Sequence, residues 1–160
     1  MAWSPSRSRE RSATNSDSPP EAPVFFVERS LGARVVPAVL RARGVRVEVH
    51  ADHFKHDEAD AIWLSAVGRN GWVLLTKDKH IRLRTLEREA LLRADVRAFS
   101  LTSGNLTGDE MAGVFLRHWT TIEWVARHEP APFIAAVSKR DVLLYDPATR
   151  RWRPVERPET

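Results

Sequence analysis

Three acidic residues, Glu28, Asp60 and Asp78, lie at positions where an α/β sheet collects functional side chains. Glu28 directly follows the apolar run 24–27, Asp78 closely follows the run 73–76, and Asp60 opens a helical stretch between them. Parallel strands bind ligands at their carboxyl ends, so we expect the three carboxylates to converge at one edge of a sheet. Crowded carboxylates repel one another unless a cation lies among them. A hard divalent metal and phosphodiester hydrolysis are therefore the chemistry that this spacing predicts.

The elements that must position these acids alternate between strand and helix. The segments 24–28, 72–76 and 96–101 predict strands, as does the alternation of valines with Arg46 and Glu48 over 45–49, and helical spacing of apolar residues separates them. Ser30 is expected to cap the first helix, and Pro37 to kink it or delay its start. The segments 133–137 and 142–145 predict a closing hairpin. The pattern indicates a three-layer α/β/α fold with a mainly parallel central sheet and a C-terminal hairpin.

Composition divides the chain into one domain and two tails. Residues 1–22 are rich in Ser, Arg and Pro, and residues 146–160 in Arg and Pro, so we expect both to be disordered around a domain at 23–145. The sequence has no cysteine, which excludes disulfides and thiolate metal sites. It has no apolar run of membrane-spanning length and no signal-peptide-like segment, so a cytoplasmic location and no membrane partner are expected. A formal net charge of +4 favours acidic partners such as nucleic acid.

The order and spacing of these motifs resemble a known family. Glu28 followed by Arg29-Ser30-Leu31-Gly32, then the acidic helix start at Asp60, then Thr76-Lys77-Asp78 at a strand end, is similar to PIN-like domains over about residues 24–145. The resemblance is closest to the branch grouped with VapC-type toxin ribonucleases. It implies a PIN-like fold and a metal-dependent endoribonuclease that uses Mg²⁺ or Mn²⁺. It also implies RNA and a cognate antitoxin protein as partners, in a type II toxin–antitoxin pair; a homodimer is left open.

Carried over residue by residue, the resemblance makes Glu28, Asp60 and Asp78 the catalytic and metal-binding residues. The basic residues near Asp78 are expected to hold substrate phosphates, and the strand-end Thr76 to orient Asp78 through its hydroxyl. These basic residues are Lys77, Lys79 and Arg82. The chain departs from the family pattern in having Glu rather than Asp at 28. The separate acid that the family carries on an intermediate helix also lacks a clear match, and three loop acids are alternatives for it: Asp52, Asp57 and Glu58.

Other interpretations stay open. The departures at Glu28 and at the fourth acid favour a PIN-like module with weakened catalysis that binds RNA or protein. A phosphoacceptor receiver-like domain also gathers acids at strand ends, although the first strand here lacks its acidic pair. Taken singly, Glu28 pairs with Arg29 or Arg34, and Asp60 only stabilises a helix N-terminus. The loop histidines at 50, 53 and 56 fit no ordinary zinc spacing, and we expect them to be solvated.

Overall fold

The structure is a computed structural model that describes residues 22–156. Seven strands form one sheet, and their bounds are β1 Val24–Val27, β2 Arg46–Val49, β3 Val73–Thr76, β4 Arg97–Leu101, β5 Phe133–Val137, β6 Val142–Asp146 and β7 Arg151–Pro154. The α-helices of the described residues are α1 Val35–Ala42, α2 Asp60–Asn70, α3 Lys79–Leu83, α4 Thr85–Arg93, α5 Gly108–Arg117 and α6 Trp119–His128. The tail predicted at 1–22 lies outside the described residues except for Ala22.

The sheet order is β2-β1-β3-β4-β5-β6-β7. Its first five strands are parallel, and β5, β6 and β7 are antiparallel to their neighbours in turn. This confirms the predicted α/β class, the mainly parallel sheet and the closing hairpin. The crossover helices cover both faces of the sheet, so the interior strands β1 and β3 are buried on each side and are almost entirely apolar. The edge strand β2 instead alternates buried valines with the more exposed Arg46 and Glu48.

Two hydrophobic clusters lie on the two faces of the sheet. One contains Phe25 and Trp119, whose ring centroids are 4.7 Å apart. The other contains Phe26 and Trp63, stacked at 6.0 Å. Neighbouring residues of β1 therefore point into opposite layers, as the two-residue period of a strand requires. The second cluster lies beneath the helix that begins at Asp60, so this face carries the residues of interest.

Three local expectations need correction or refinement. The first α-helix starts late, at Val35, which places Pro37 in the first turn, where its missing N–H is tolerated. Ser30 does not cap a helix: it lies in a short 3₁₀ turn over Arg29–Leu31, and its hydroxyl is used elsewhere. The segment predicted to be disordered from residue 146 instead contains β7, which pairs with β6. The composition of β7, with Arg151, Arg153 and Pro154, suits an edge strand, where charged residues and proline are common.

Candidate active site

A row of four buried polar residues crosses the carboxyl edge of the parallel sheet. Glu28, His50, Thr76 and Ser100 are 4%, 2%, 0% and 0% exposed, respectively. Val27 pairs with Val49 and with Leu75, so the residues that follow them bring Glu28 between His50 and Thr76. Thr76 in turn pairs with Ser100. Burying polar groups is unfavourable without partners, so this row marks a site rather than a packing solution.

Glu28 is held at the centre of the row by two hydroxyls. Thr76 Oγ1 donates a hydrogen bond to Glu28 Oε1 at 2.7 Å, and Ser30 Oγ donates to the same oxygen. Among residues 22–156 the carboxylate forms no ion pair, so the expected alternative of pairing with Arg29 or Arg34 is wrong. Both hydroxyl groups therefore donate to one oxygen of the carboxylate, Oε1. Oε2 accepts no hydrogen bond within the same part of the chain.

Thr76 also connects Glu28 to Asp78. Its Oγ1 accepts a hydrogen bond from the Asp78 backbone N–H at 3.0 Å while donating to Glu28. Ser30 Oγ accepts from the backbone N–H of Lys77 at 3.0 Å, which ties the turn after β1 to the end of β3. Thr76 therefore fixes the backbone on which Asp78 is mounted. The structure shows no direct bond from the Thr76 hydroxyl to the Asp78 carboxylate within the described residues.

Asp78 and Asp60 are each anchored by one oxygen. Asp78 Oδ1 accepts from the His80 backbone N–H at 2.9 Å and thereby caps α3. Asp60 is the first residue of α2, and its Oδ1 accepts from Trp63 Nε1 at 3.0 Å. In the described part of the chain, the second oxygen of each carboxylate accepts no hydrogen bond, as for Glu28. Each acid thus has one oxygen that fixes it and one that remains available to a ligand.

The three acids do not form a closed cluster. Within residues 22–156 no group of three or more His, Asp or Glu side chains lies close enough to hold one metal ion. Each acid is instead held by its own partner: Trp63 holds Asp60, the α3 backbone holds Asp78, and two hydroxyls hold Glu28. The donor chemistry nevertheless fits a hard divalent cation, because carboxylate oxygens are the ligands that Mg²⁺ and Mn²⁺ prefer.

His50 joins Glu28 and Asp60 electrostatically. Burial lowers its pKa below the ordinary value, and the negative charges of Glu28 and Asp60 act in the opposite direction. Arg29 and His56 lower the pKa further. The charges of both carboxylates therefore act on one buried imidazole. The expectation that His50 is solvated is wrong, because the residue after Val49 continues the register of β2 into the interior. Its position beside Glu28 was not predicted. The signal in the sequence was that Glu28 and His50 each directly follow the last residue of a strand.

The loop acids proposed as a fourth ligand lie toward solvent. Asp52 and Asp57 are exposed and Glu58 is half-buried. In the same loop, the exposed His53 bonds Glu48 at 2.6 Å, and His56 lies 3.4 Å from Arg29 Nη1. The structure therefore singles out none of these three loop acids as a ligand.

The basic residues next to Asp78 differ in their environments. Lys77 is half-buried and Lys79 is exposed. Arg82 is partly buried, and burial lowers the pKa of its guanidinium. Its Nε is buried and has no hydrogen-bond partner among the described residues. Lys77 and Lys79 flank Asp78 in the chain, so positive charge stands beside the acidic edge, where a polyanion would have to approach.

Comparison with known proteins identifies the class. A family model described as "PIN like domain" matches residues 23–103. The chain belongs to this PIN-like family. This supports the family interpretation over the receiver-like one.

One curated relative comes from Mycobacterium tuberculosis (strain ATCC 25618 / H37Rv) and has the name "Putative ribonuclease VapC45". It is 31% identical over 123 residues, which cover 74% of this chain and 88% of the relative. No solved structure matches the chain. In the described residues no helix is long and apolar enough to span a bilayer.

Proposed function

We propose that this chain is a metal-dependent endoribonuclease and the toxin of a type II toxin–antitoxin pair. The observation that carries the proposal is that Glu28, Asp60 and Asp78 are each anchored through one oxygen, while the other oxygen accepts no hydrogen bond among the described residues of this PIN-like domain. The name of the mycobacterial relative supports RNA as the substrate.

Glu28, Asp60 and Asp78 would hold Mg²⁺ or Mn²⁺. Bound there, a divalent cation supplies Lewis acidity and activates water for attack on a phosphodiester. The chain contributes the positioning: Thr76 and Ser30 fix Glu28, and Thr76 fixes the backbone of Asp78. These supports preorganise the acids, since a misplaced ligand reduces the rate steeply.

Lys77, Lys79 and Arg82 would bind the phosphates that flank the cleaved bond. Lys79 is exposed and can reach substrate without rearrangement, whereas the partly buried Arg82 guanidinium is fixed in direction. Contacts of this kind position the backbone and read no sequence. We further propose a cytoplasmic location and a cognate antitoxin that covers this edge, and we leave a homodimer open.

A second function is favoured by one observation. Because the described residues contain no group of three metal-ligating side chains, and because Glu replaces Asp at position 28, a PIN-like module that binds RNA without efficient cleavage fits the same fold. The two functions differ in metal dependence. The substitution Glu28→Asp restores the family residue and would raise cleavage of a weakened enzyme, whereas a purely binding module would stay inactive.

The nuclease proposal is tested by incubating the purified chain with RNA in Mg²⁺ or Mn²⁺, in parallel with an EDTA control and the variant Asp78→Asn. We expect EDTA to abolish cleavage and Asp78→Asn to reduce it by about 100-fold or more, since even residues that support metal ligands are worth about 10–100-fold. The matched control is Asp95→Asn, before β4 at the opposite edge, where the backbone φ of 62° suits Asn as well as Asp. Cleavage that survives both EDTA and Asp78→Asn would overturn the proposal.

A further inference from the structure

A pocket of about 360 Å³ opens at the carboxyl edge of the sheet, beside the buried row that contains Glu28. It lies between the turn after β1 and the loop after β2, so it borders the strand ends that carry Glu28 and His50. Its size falls in the range of small-ligand pockets, about 300–1,000 Å³. The side chains that shape it are Arg29, Ala33, His50, Ala51, Phe54 and His56.

His50 is the unusual member of this lining. It is 2% exposed, and its buried Nε2 has no hydrogen-bond partner in the part of the chain that the structure describes. Aromatic rings hold the imidazole in place: the ring centroids of Phe54 and Trp63 lie 5.4 and 5.9 Å from that of His50. A buried polar nitrogen without a protein partner is unfavourable, and a polar group of a ligand or an ordered water in the pocket can supply the missing hydrogen bond.

The chemistry of the lining favours a flat, electron-rich ligand attached to a polyanion. Phe54, Ala33 and Ala51 offer apolar surface, while Arg29 and two imidazoles provide polar contacts; none of the residues that line this pocket is acidic. Proteins that recognise RNA bind unstacked bases in this manner, with the face against an aromatic or guanidinium plane and the edge hydrogen-bonded. Arg29 directly follows Glu28 in the chain. A nucleotide bound in the pocket, with its phosphate at Arg29, would therefore place that phosphate beside Glu28.

We propose that this pocket binds the base of the substrate nucleotide next to the cleaved bond, with a hydrogen bond between the base edge and the His50 imidazole. The proposal rests on the nuclease function and deepens it, because it makes His50 the residue that sets base preference. The face of the base lies against the apolar side of the pocket. Arg29 borders the pocket opening, and its Nη1 lies 3.4 Å from His56 Nε2.

Two variants alter the pocket by different routes. His50→Phe keeps a ring among Phe54 and Trp63 and removes both imidazole nitrogens. Ala33→Trp introduces a large side chain into the pocket from an exposed position of its lining. Each has a matched control. His118 also carries a buried Nε2 without a partner among the described residues, but at the junction of α5 and α6, so His118→Phe is the control for the first. Ala38→Trp, on an exposed position of α1, is the control for the second.

The first assay sequences the ends that each variant generates from random-sequence RNA in Mg²⁺ or Mn²⁺. We expect the wild-type chain to prefer one base beside the cut by about 5-fold or more, as one hydrogen bond to the base edge allows, because a base that cannot form it leaves the buried imidazole unpaired. His50→Phe and Ala33→Trp should lower that preference to below about 2-fold, while both control variants retain it. Circular dichroism melting establishes that each variant is folded.

The second assay measures binding of fluorescently labelled homopolymers of A, C, G or U, about eight nucleotides long, to the wild-type chain and the same variants in EDTA. Failure of the wild-type chain to cleave RNA would overturn the nuclease function alone, and the homopolymer preference would then decide on the pocket. A base preference that survives both pocket variants, or a wild-type chain without preference in both assays, would overturn the pocket proposal.

Discussion

At the scale of single residues, Thr76 is the connection on which the site depends. Its hydroxyl donates to the buried Glu28 carboxylate and accepts from the Asp78 backbone N–H, so one oxygen links two acids from different strands. The residue is fully buried, and no water is needed to complete its bonding. Hydrogen bonds that share a donor–acceptor group in a low-dielectric interior strengthen each other, and losing the shared member breaks both.

Thr76→Val should therefore be harmful although it preserves shape. It leaves a buried carboxylate with one donor fewer and an unpaired N–H on Asp78, so we expect a loss of about 1–3 kcal/mol in the free energy of unfolding. Cleavage should fall by about 10–100-fold, as for residues that support metal ligands. Thr76→Ser keeps the hydroxyl and is the control. Urea denaturation and RNA cleavage measure the two effects; equal unfolding free energies for the Val and Ser variants would show that the hydroxyl does not stabilise the site.

The strand-end positions of the acids were easier to predict from the sequence than the side chains that hydrogen-bond to them. Glu28 and Asp78 follow apolar runs, and a strand end is visible in the pattern. Ser30 was interpreted as a helix cap, because the sequence does not show that its hydroxyl turns back to Glu28. His50 was grouped with solvated histidines, and recognising its burial requires the parallel register of β1 and β2. Contacts between strands that are distant in the chain depend on that register, which local sequence does not encode.

At the scale of elements, α2 carries Asp60 and is held against the sheet by close backbone packing. A Cβ added at Gly68 would lie 1.9 Å from the carbonyl oxygen of Ala94, in the turn before β4. No side chain can move aside there, since the contact is with backbone. The position of Asp60 at the start of this helix therefore depends on a glycine two turns away.

Gly68→Ala should push α2 away from the sheet. We expect it to lower the free energy of unfolding by about 1–3 kcal/mol, as overpacking does, and to reduce cleavage by displacing Asp60. The matched control is Gly113→Ala in α5, where an added Cβ meets nothing within 4 Å. That variant should be more stable by about 0.5–1 kcal/mol, because alanine loses less backbone entropy in a helix. Chemical denaturation gives both values, and destabilisation by Gly113→Ala equal to that by Gly68→Ala would contradict the packing argument.

The elements themselves were largely predictable, and the exceptions have physical reasons. Continuous apolar runs predicted β1 and β3, which are buried on both faces, whereas β2 was predicted from the alternation of valines with Arg46 and Glu48. The strand β7 was missed because its alternating arginines and proline have the composition of a polar tail. Only pairing with β6 makes it a strand. The late start of α1 followed from Pro37, whose position in a first turn is tolerated.

At the scale of the whole molecule, charge is arranged so that acids and bases share one edge. The formal net charge is +4 and the isoelectric point is about 10.1. The buried row at the carboxyl edge, by contrast, contains Glu28 and no lysine or arginine. Lys77 and Lys79 stand on either side of Asp78 at that edge. A polyanion is thus attracted to the molecule as a whole and meets local positive charge where the acids lie. Binding of RNA should depend steeply on salt for this reason.

Lys79→Ala tests that arrangement, since Lys79 is exposed and lies one residue beyond Asp78. If its ammonium contacts one phosphate, the slope of log association constant against log salt should become shallower by about 0.7, the value for one contact on a single strand. Affinity should fall equally for all base sequences, because phosphate contacts read no bases. Arg43→Ala is the control. Arg43 is exposed and lies between α1 and the start of β2, which is the edge of the sheet opposite to Asp78. Fluorescence anisotropy with labelled RNA in EDTA, over a salt series, gives both slopes. An unchanged slope for Lys79→Ala, or the same change for Arg43→Ala, would mean that RNA does not approach the molecule over the acidic edge.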